Sequence, residues 1–599
     1  MFIDSKFKNI QNLKMINYFL ILTIVILSVW SRWYNLDSYV SNIDDHLVAS
    51  SILEAKRPLD IIAIKSIIHD TSLTTYNSAA KKFLRFSEAN GHLDAILRRI
   101  DPLRPWFCVP NQSTYAPFQF FFTQCLINKQ QSLKQLLFWG RFPSFIFSIL
   151  SLFMFVYLIN KTSLSLVGQI SSLLVIAIYA FSFESIIYSK QMESYAIGLF
   201  ASVLLLIVLL KILRESPNYE LKNWLKVSML FAVMIYMQYQ MLIYVFAAAF
   251  TLSIYYYYNT KKSEHKIFYH RIFFSGLLFV LFVSPVYVLF ISKHSNHAAV
   301  QWYQGPNAEY LFDLRVAHGY SDQVYYIARF FLINCVEVFL NNCSFYSGSN
   351  LAINFMMCSV LLLFSVFFVY GLVVIFKSTD KYNKYLGLFL FVFLFMWLFF
   401  TVLGKFTMSP TRHTLILLPM FCLVCHFGLT AFIQLISNHR LFIFLIYITT
   451  CFMIFSFTKS IRWFLDDRKE LFTQAGIVNV IKSRQPDYIV TTNEIVTFIP
   501  ELRNNLNLLY VSSFKSKERW CTKKFVGKNV KFCFINFEPN HKNLKSINHF
   551  FNMELSSLKI DTVHSAHNYL VLPGVKSDEL HNKFPRIVEN CIYFAESSN

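Results

Sequence analysis

Apolar residues in this chain come in unbroken runs rather than in the one-sided stripes of a soluble helix, and many runs are long enough to cross a bilayer. Runs of about 17–25 residues lie near 15–31, 137–159, 164–183, 194–213, 225–238, 240–257, 271–291, 351–376, 385–403, 412–436 and 440–458. They predict a polytopic α-helical membrane protein of about eleven transmembrane helices over residues 1–458. Beyond 459 the pattern changes to strand-length runs, DYIVTT at 487–492, LNLLYVSS at 506–513 and VKFCFINF at 530–537, alternating with helical stretches at 470–483 and 542–552. A small C-terminal α/β soluble domain over 459–599 is expected there.

Charge at the ends of the runs sets an expected orientation. Lys6, Lys8 and Lys14 precede the first run, which has no small-residue cleavage site after it, so it reads as a retained span with the amino terminus in the cytoplasm. Residues 225–257 are too long for one span, and both flanks are basic: Lys211, Arg214, Lys222 and Lys226 before, Lys261, Lys262, Lys266 and Arg271 after. The chain is therefore expected to cross twice, with Gln238 and Gln240 at the outer turn. Lys377, Lys381, Lys384, His439 and Arg440 continue the alternation. The outer face then receives loops 32–136 and 292–350 and the C-terminal domain.

Composition agrees with the pattern. With 55% hydrophobic residues, 65 Phe, 33 Tyr, 15% charged residues and a mean hydropathy of +0.44, the chain has too little polar surface for a soluble enzyme. The formal net charge of +21 sits in short connections between spans, which argues against a nucleic-acid partner and for membrane lipids. Helical stretches such as 73–100 in the first loop carry Lys81, Lys82, Arg85, Arg98 and Arg99 off their apolar face, as a surface-lying helix would. Trp30, Trp33, Trp106, Trp139 and Trp302 read as interfacial anchors, and QWYQGPN at 301–307 as either an anchor or a cover for a ligand.

Eleven cysteines form no framework: Cys335 with Cys343, or Cys521 with Cys533, could pair outside, while Cys108 and Cys591 have no evident partner. Cys422 and Cys425 have CxxC spacing but lie inside an apolar run, where packing as small hydrophobes is expected. No Gly-rich phosphate loop is present.

Candidate chemistry begins with Asp44 and Asp45 in SNIDDHLVAS, where a carboxylate pair just beyond the first span is costly unless it serves a reaction or an ion. The plainer reading is an N-cap on LVASSILEA. After this pair come TYAPFQFFFTQ at 114–124, GRFPSFIFSILSLFMFVYL at 140–158, YSKQMESYAIGLF at 188–200 and TRHTLILLP at 411–419. In that order they resemble landmarks of the GT-C glycosyltransferases, membrane enzymes that use polyprenyl-phosphate sugars. The similarity is greatest to the bacterial branch of protein O-mannosyltransferases and the lipid A aminoarabinose transferase. Departures are Asp44-Asp45 where the family usually has Asp-Glu, His46 beside them, and Glu193 where many members are basic.

The resemblance implies an inner-membrane glycosyltransferase with its site on the outer face. Transfer needs a base for the acceptor hydroxyl and cations for the departing phosphate. Asp44 is the implied base, and Asp45 orients the acceptor or a neighbouring base. Arg412, with Lys405, Lys190, Arg141 and His413, is the candidate set for the phosphate and donor, and Glu193 for sugar or acceptor. A snorkelling cation, or a Glu193–Lys190 pair three residues apart on one helical face, would explain several of these without substrate. No cofactor is implied with certainty, and a divalent cation held by His46, His413 and the Asp pair stays open, although a lone loop histidine more often packs or hydrogen-bonds. The partners are a polyprenyl-phosphate-linked sugar donor and a hydroxyl acceptor on protein, lipid or glycan. The alternatives are a transporter or flippase of lipid-linked sugars, and a noncatalytic assembly subunit. Against transport, there is no visible repeat and the acidic groups sit at outer ends rather than in midspan.

Overall fold

The computed structural model describes residues 2–34, 36–37, 116–127, 131, 133–162, 166–214, 220–288, 365–402, 412–435, 485, 488–491, 508–510, 531–535, 558–566 and 590–597. The chain forms two compact units, Met1–Leu36 with Ser113–Gln119 and Arg141–Arg462, and Asp37–Gln112 with Phe120–Gly140 and Trp463–Asn599. Asp44, Asp45, His46 and Lys405 lie outside the described residues, as do the span at 440–458 and the helical stretches at 73–100, 470–483 and 542–552.

The described helices are α1 Phe2–Trp33, α2 Pro117–Leu126, α3 Leu133–Thr162, α4 Leu166–Ala180, α5 Phe183–Tyr188, α6 Tyr195–Arg214, α7 Leu221–Met237, α8 Met241–Asn259, α9 His265–Val286, α10 Ser365–Lys377, α11 Lys381–Val402 and α12 Leu418–Leu435. Among the described residues, six stretches are long and apolar enough to cross a membrane, and three further apolar helices are shorter. The first unit is a helical membrane protein. Its middle is marked by burial, since the windows in Tyr195–Arg214 and Thr414–Leu435 are each 72% buried within the protein, whereas that in Lys262–Val286 is 11% buried. The exposed apolar faces of α9 are suited to lipid rather than water.

The helix breaks follow local chemistry. Gln238 adopts an extended conformation that ends α7, and Tyr239 and Gln240 turn the chain into α8. The hairpin brings Trp224 near the start of α7 against Tyr256 near the end of α8, so the two helices are antiparallel. Ser182 ends the third apolar run and caps α5, accepting a bond from the Ser185 N–H. Helices α10 and α12 cross with their backbones touching: a Cβ on Gly371 would meet the Val424 carbonyl, and one on Gly428 the Phe367 carbonyl. Close approach of this kind replaces the hydrophobic drive that lipid removes. Cys422 and Cys425 are buried on α12.

The strands of the second unit are β1 Tyr488–Thr491, β2 Leu508–Tyr510, β3 Lys531–Ile535, β4 Leu558–Ala566 and β5 Asn590–Ser597, in the order β2-β1-β3-β5-β4. β1 pairs in parallel with β2 and β3; β5 pairs antiparallel with β3 and β4. Asp561 is the extra residue of a bulge, because Ile560 faces Ala595 while Thr562 faces Phe594.

Candidate functional site

Five ionisable side chains are buried at one end of the helical unit: Arg32 at 0%, Arg141 at 1%, Lys190 at 5%, Glu184 at 4% and Glu193 at 0% exposure. Charges removed from solvent to this degree require specific partners. Those of Arg32 are a carbonyl within its own helix and the carboxyl end of α4. From the last turn of α1, its Nη1 donates to the Ser28 carbonyl at 3.2 Å, to the Ser28 hydroxyl, and to the carbonyl of Ala180, the last residue of α4, at 2.8 Å. Nε donates to Ser148 Oγ at 2.8 Å and Nη2 to Ser185 Oγ at 2.9 Å. The guanidinium is thus matched to the partial negative charge at the carboxyl end of α4 as well as to hydroxyls.

The other two basic side chains hold the chain immediately after α1. Arg141 Nη1 donates to the Leu36 carbonyl at 3.1 Å, and Lys190 Nζ to the Tyr34 carbonyl at 2.6 Å. Arg141 lies well inside α3, which begins at Leu133, and Lys190 lies in the turn between α5 and α6. Together the three basic side chains hold the exit of the first helix. Burial, and then the neighbouring Arg141 and Arg32, push the Lys190 ammonium down to about 6. At neutral pH its amine is mostly uncharged and still able to donate to Tyr34.

Hydroxyls and amides complete this end. Ser144 donates to the Gln191 carbonyl and to that of Glu193 at 3.3 Å, and accepts from Gln119 Nε2 at 2.8 Å. Ser194 Oγ donates to Gln238 Oε1 at 2.7 Å, which ties the start of α6 to the turn after α7. Glu193 follows Lys190 in a turn rather than on a helix.

Arg412 and His413 begin a 3-10 turn, Arg412–Leu417, that packs against α5 and α6. Tyr244 Oη donates to the Ile416 carbonyl at 2.7 Å, and a Cβ on Gly198 would come 3.1 Å from Ile416 Cγ2 and 3.0 Å from Gln238 Cγ. The missing side chain at Gly198 lets that turn approach α6. The backbone therefore brings the segment bearing Arg412 and His413 to the end where Arg141, Lys190 and Glu193 are buried; Asp44, Asp45 and Lys405 are outside the described residues.

The sequence reading did not pick out Arg32 or Glu184. A signal was present: Ser144, Ser148 and Ser151 recur at four and three residues along α3, and all are buried. A serine stripe within an apolar run marks a polar partner on the facing helix. Here two of those hydroxyls meet Arg32 and Tyr179. No family model matches the chain, and no curated protein is similar to it.

Proposed function

We propose that the protein is an integral membrane glycosyltransferase that moves a sugar from a polyprenyl-phosphate donor to an acceptor hydroxyl at the outer membrane face. The observation that carries this reading is the clamp on the first helix exit. A run of seven residues separates Leu36, held by Arg141, from Asp44. The segments that resemble GT-C landmarks, at 140–158, 188–200 and 411–419, meet around that same end. In the architecture that goes with this reading, about eleven spans precede an outer α/β domain.

In the reaction, Asp44 takes the proton of the acceptor hydroxyl as its oxygen attacks the anomeric carbon from the face opposite the phosphate. The bond from that carbon to the phosphate oxygen breaks, and polyprenyl phosphate leaves with the electron pair, giving an inverted glycoside. Asp45 orients the acceptor. Arg412 and Lys405 hold the leaving phosphate, with His413 and Glu193 at its margin. Arg141 and Lys190 act as positioning residues, since their donors hold the carbonyls of Leu36 and Tyr34 from which the catalytic loop departs. Purified full-length protein given a mixture of polyprenyl-phosphate sugars should release free polyprenyl phosphate and glycosylate an acceptor hydroxyl. Movement of intact sugar lipid across vesicles without release would favour the transporter, and neither activity would leave an assembly subunit.

A further inference from the structure

At the opposite end of the helical unit, a cavity of about 360 Å³ opens between α8 and the start of α11. Its polar lining includes Lys381, Lys384, Thr379 and Tyr385, and its apolar lining Ile254 and Leu388. Lys381 opens α11, so the lysine charge adds to the positive end of a helix. Lys381 Nζ lies 5.5 Å from the centre of the Tyr255 ring, which restrains the side chain, and Asn259 Nδ2 donates to Tyr385 Oη at 3.2 Å. The nearest acidic residue in sequence, Asp380, accepts from the Tyr382 N–H at 3.4 Å and so serves the first turn of the helix. Two lysines against one capped carboxylate leave the cavity electropositive.

Depth argues for the kind of anion. α11 is long and apolar enough to cross a membrane, so its first turn lies at headgroup level whichever way the helix points. Aliphatic walls beside paired ammonium groups suit a ligand that is charged at one end and apolar at the other. We propose that this cavity binds the phosphate headgroup of an anionic lipid, with Lys381, Lys384 and the Thr379 hydroxyl on the phosphate and Ile254 and Leu388 against the glycerol and first methylenes. This assignment is independent of the glycosyltransferase reading.

Native mass spectrometry of the full-length protein in detergent, titrated with phosphatidylglycerol or phosphatidylcholine of equal acyl chains, tests it. Phosphatidylglycerol should bind preferentially, and the Lys381→Gln/Lys384→Gln double variant should lose about tenfold in its affinity. Lys381→Arg/Lys384→Arg should keep binding, which separates loss of charge from loss of fold. Lys261→Gln/Lys262→Gln removes two charges at the same end but outside the cavity lining, and should change binding less than about twofold. Equal losses in the two Gln variants, equal binding of phosphatidylcholine, or displacement of the lipid by an equal concentration of glycerol 3-phosphate would overturn the assignment.

Discussion

The two ends of the helical unit use the same residue types in opposite ways. At one, Lys211, Arg214, Lys222, Lys226, Lys261, Lys262, Lys266, Lys377, Lys381 and Lys384 are all exposed, at the ends of apolar helices or between them. At the other, Arg32, Arg141 and Lys190 are buried and donate to helix-end carbonyls and serine hydroxyls. Exposed cations need only water and lipid headgroups, and their work is orientation. Buried basic groups have lost their hydration and persist only where the fold provides acceptors, so the end that contains them has been built around a particular geometry. The difference teaches that charge in a membrane chain is informative by depth rather than by number.

Replacing Arg32 with Ala tests this contrast most severely. Donors to Ser148, Ala180 and Ser185 would vanish while their acceptors stay buried, at a cost of about 3 kcal/mol, read as a lowered thermal midpoint in detergent. An unchanged midpoint would make the buried end no different from the exposed one. Per pH unit, a smaller effect is expected from titrating Lys190. Its folded pKa of about 6 lies below the ordinary 10.5, so the unfolded chain binds more protons between these values. Stability from this group is fully present above about 10.5 and lost as pH falls towards 6, with a slope of at most about 1.4 kcal/mol per pH unit. Lys190→Met should flatten that dependence in thermal unfolding between pH 9 and 6, by about this slope at most. The smallest effect should come from Lys261→Ala with Lys262→Ala at the exposed end, where the midpoint should stay unchanged; a large fall would erase the contrast.

Much of the helical unit was readable because an apolar run of span length has few alternatives. The expected break within 225–257 rested on basic residues at both flanks, and the chain turns at Gln238–Gln240. Strands β1, β2 and β3 lie within the runs at 487–492, 506–513 and 530–537, whereas β4 and β5 went unread. In β4, LKIDTVHSA, apolar positions alternate with polar ones, a weaker signal than a continuous run. The site was less legible. Arg32 looks in sequence like any cation at the end of a span, because its acceptors lie on α3, α4 and α5, far away along the chain. Arg141 and Lys190 stood out as cations near span ends, but only the fold reveals that they grip the carbonyls of Leu36 and Tyr34. Sequence identifies a charge; packing identifies its acceptor.

The central claim is that the clamped exit of the first helix delivers a catalytic carboxylate, and the direct measurement is sugar transfer by the Asp44→Asn variant. Release of polyprenyl phosphate and formation of glycoside should both fall at least about a hundredfold while expression, membrane insertion and thermal midpoint are retained. Transfer at the unmodified rate by a folded Asp44→Asn protein would contradict the account.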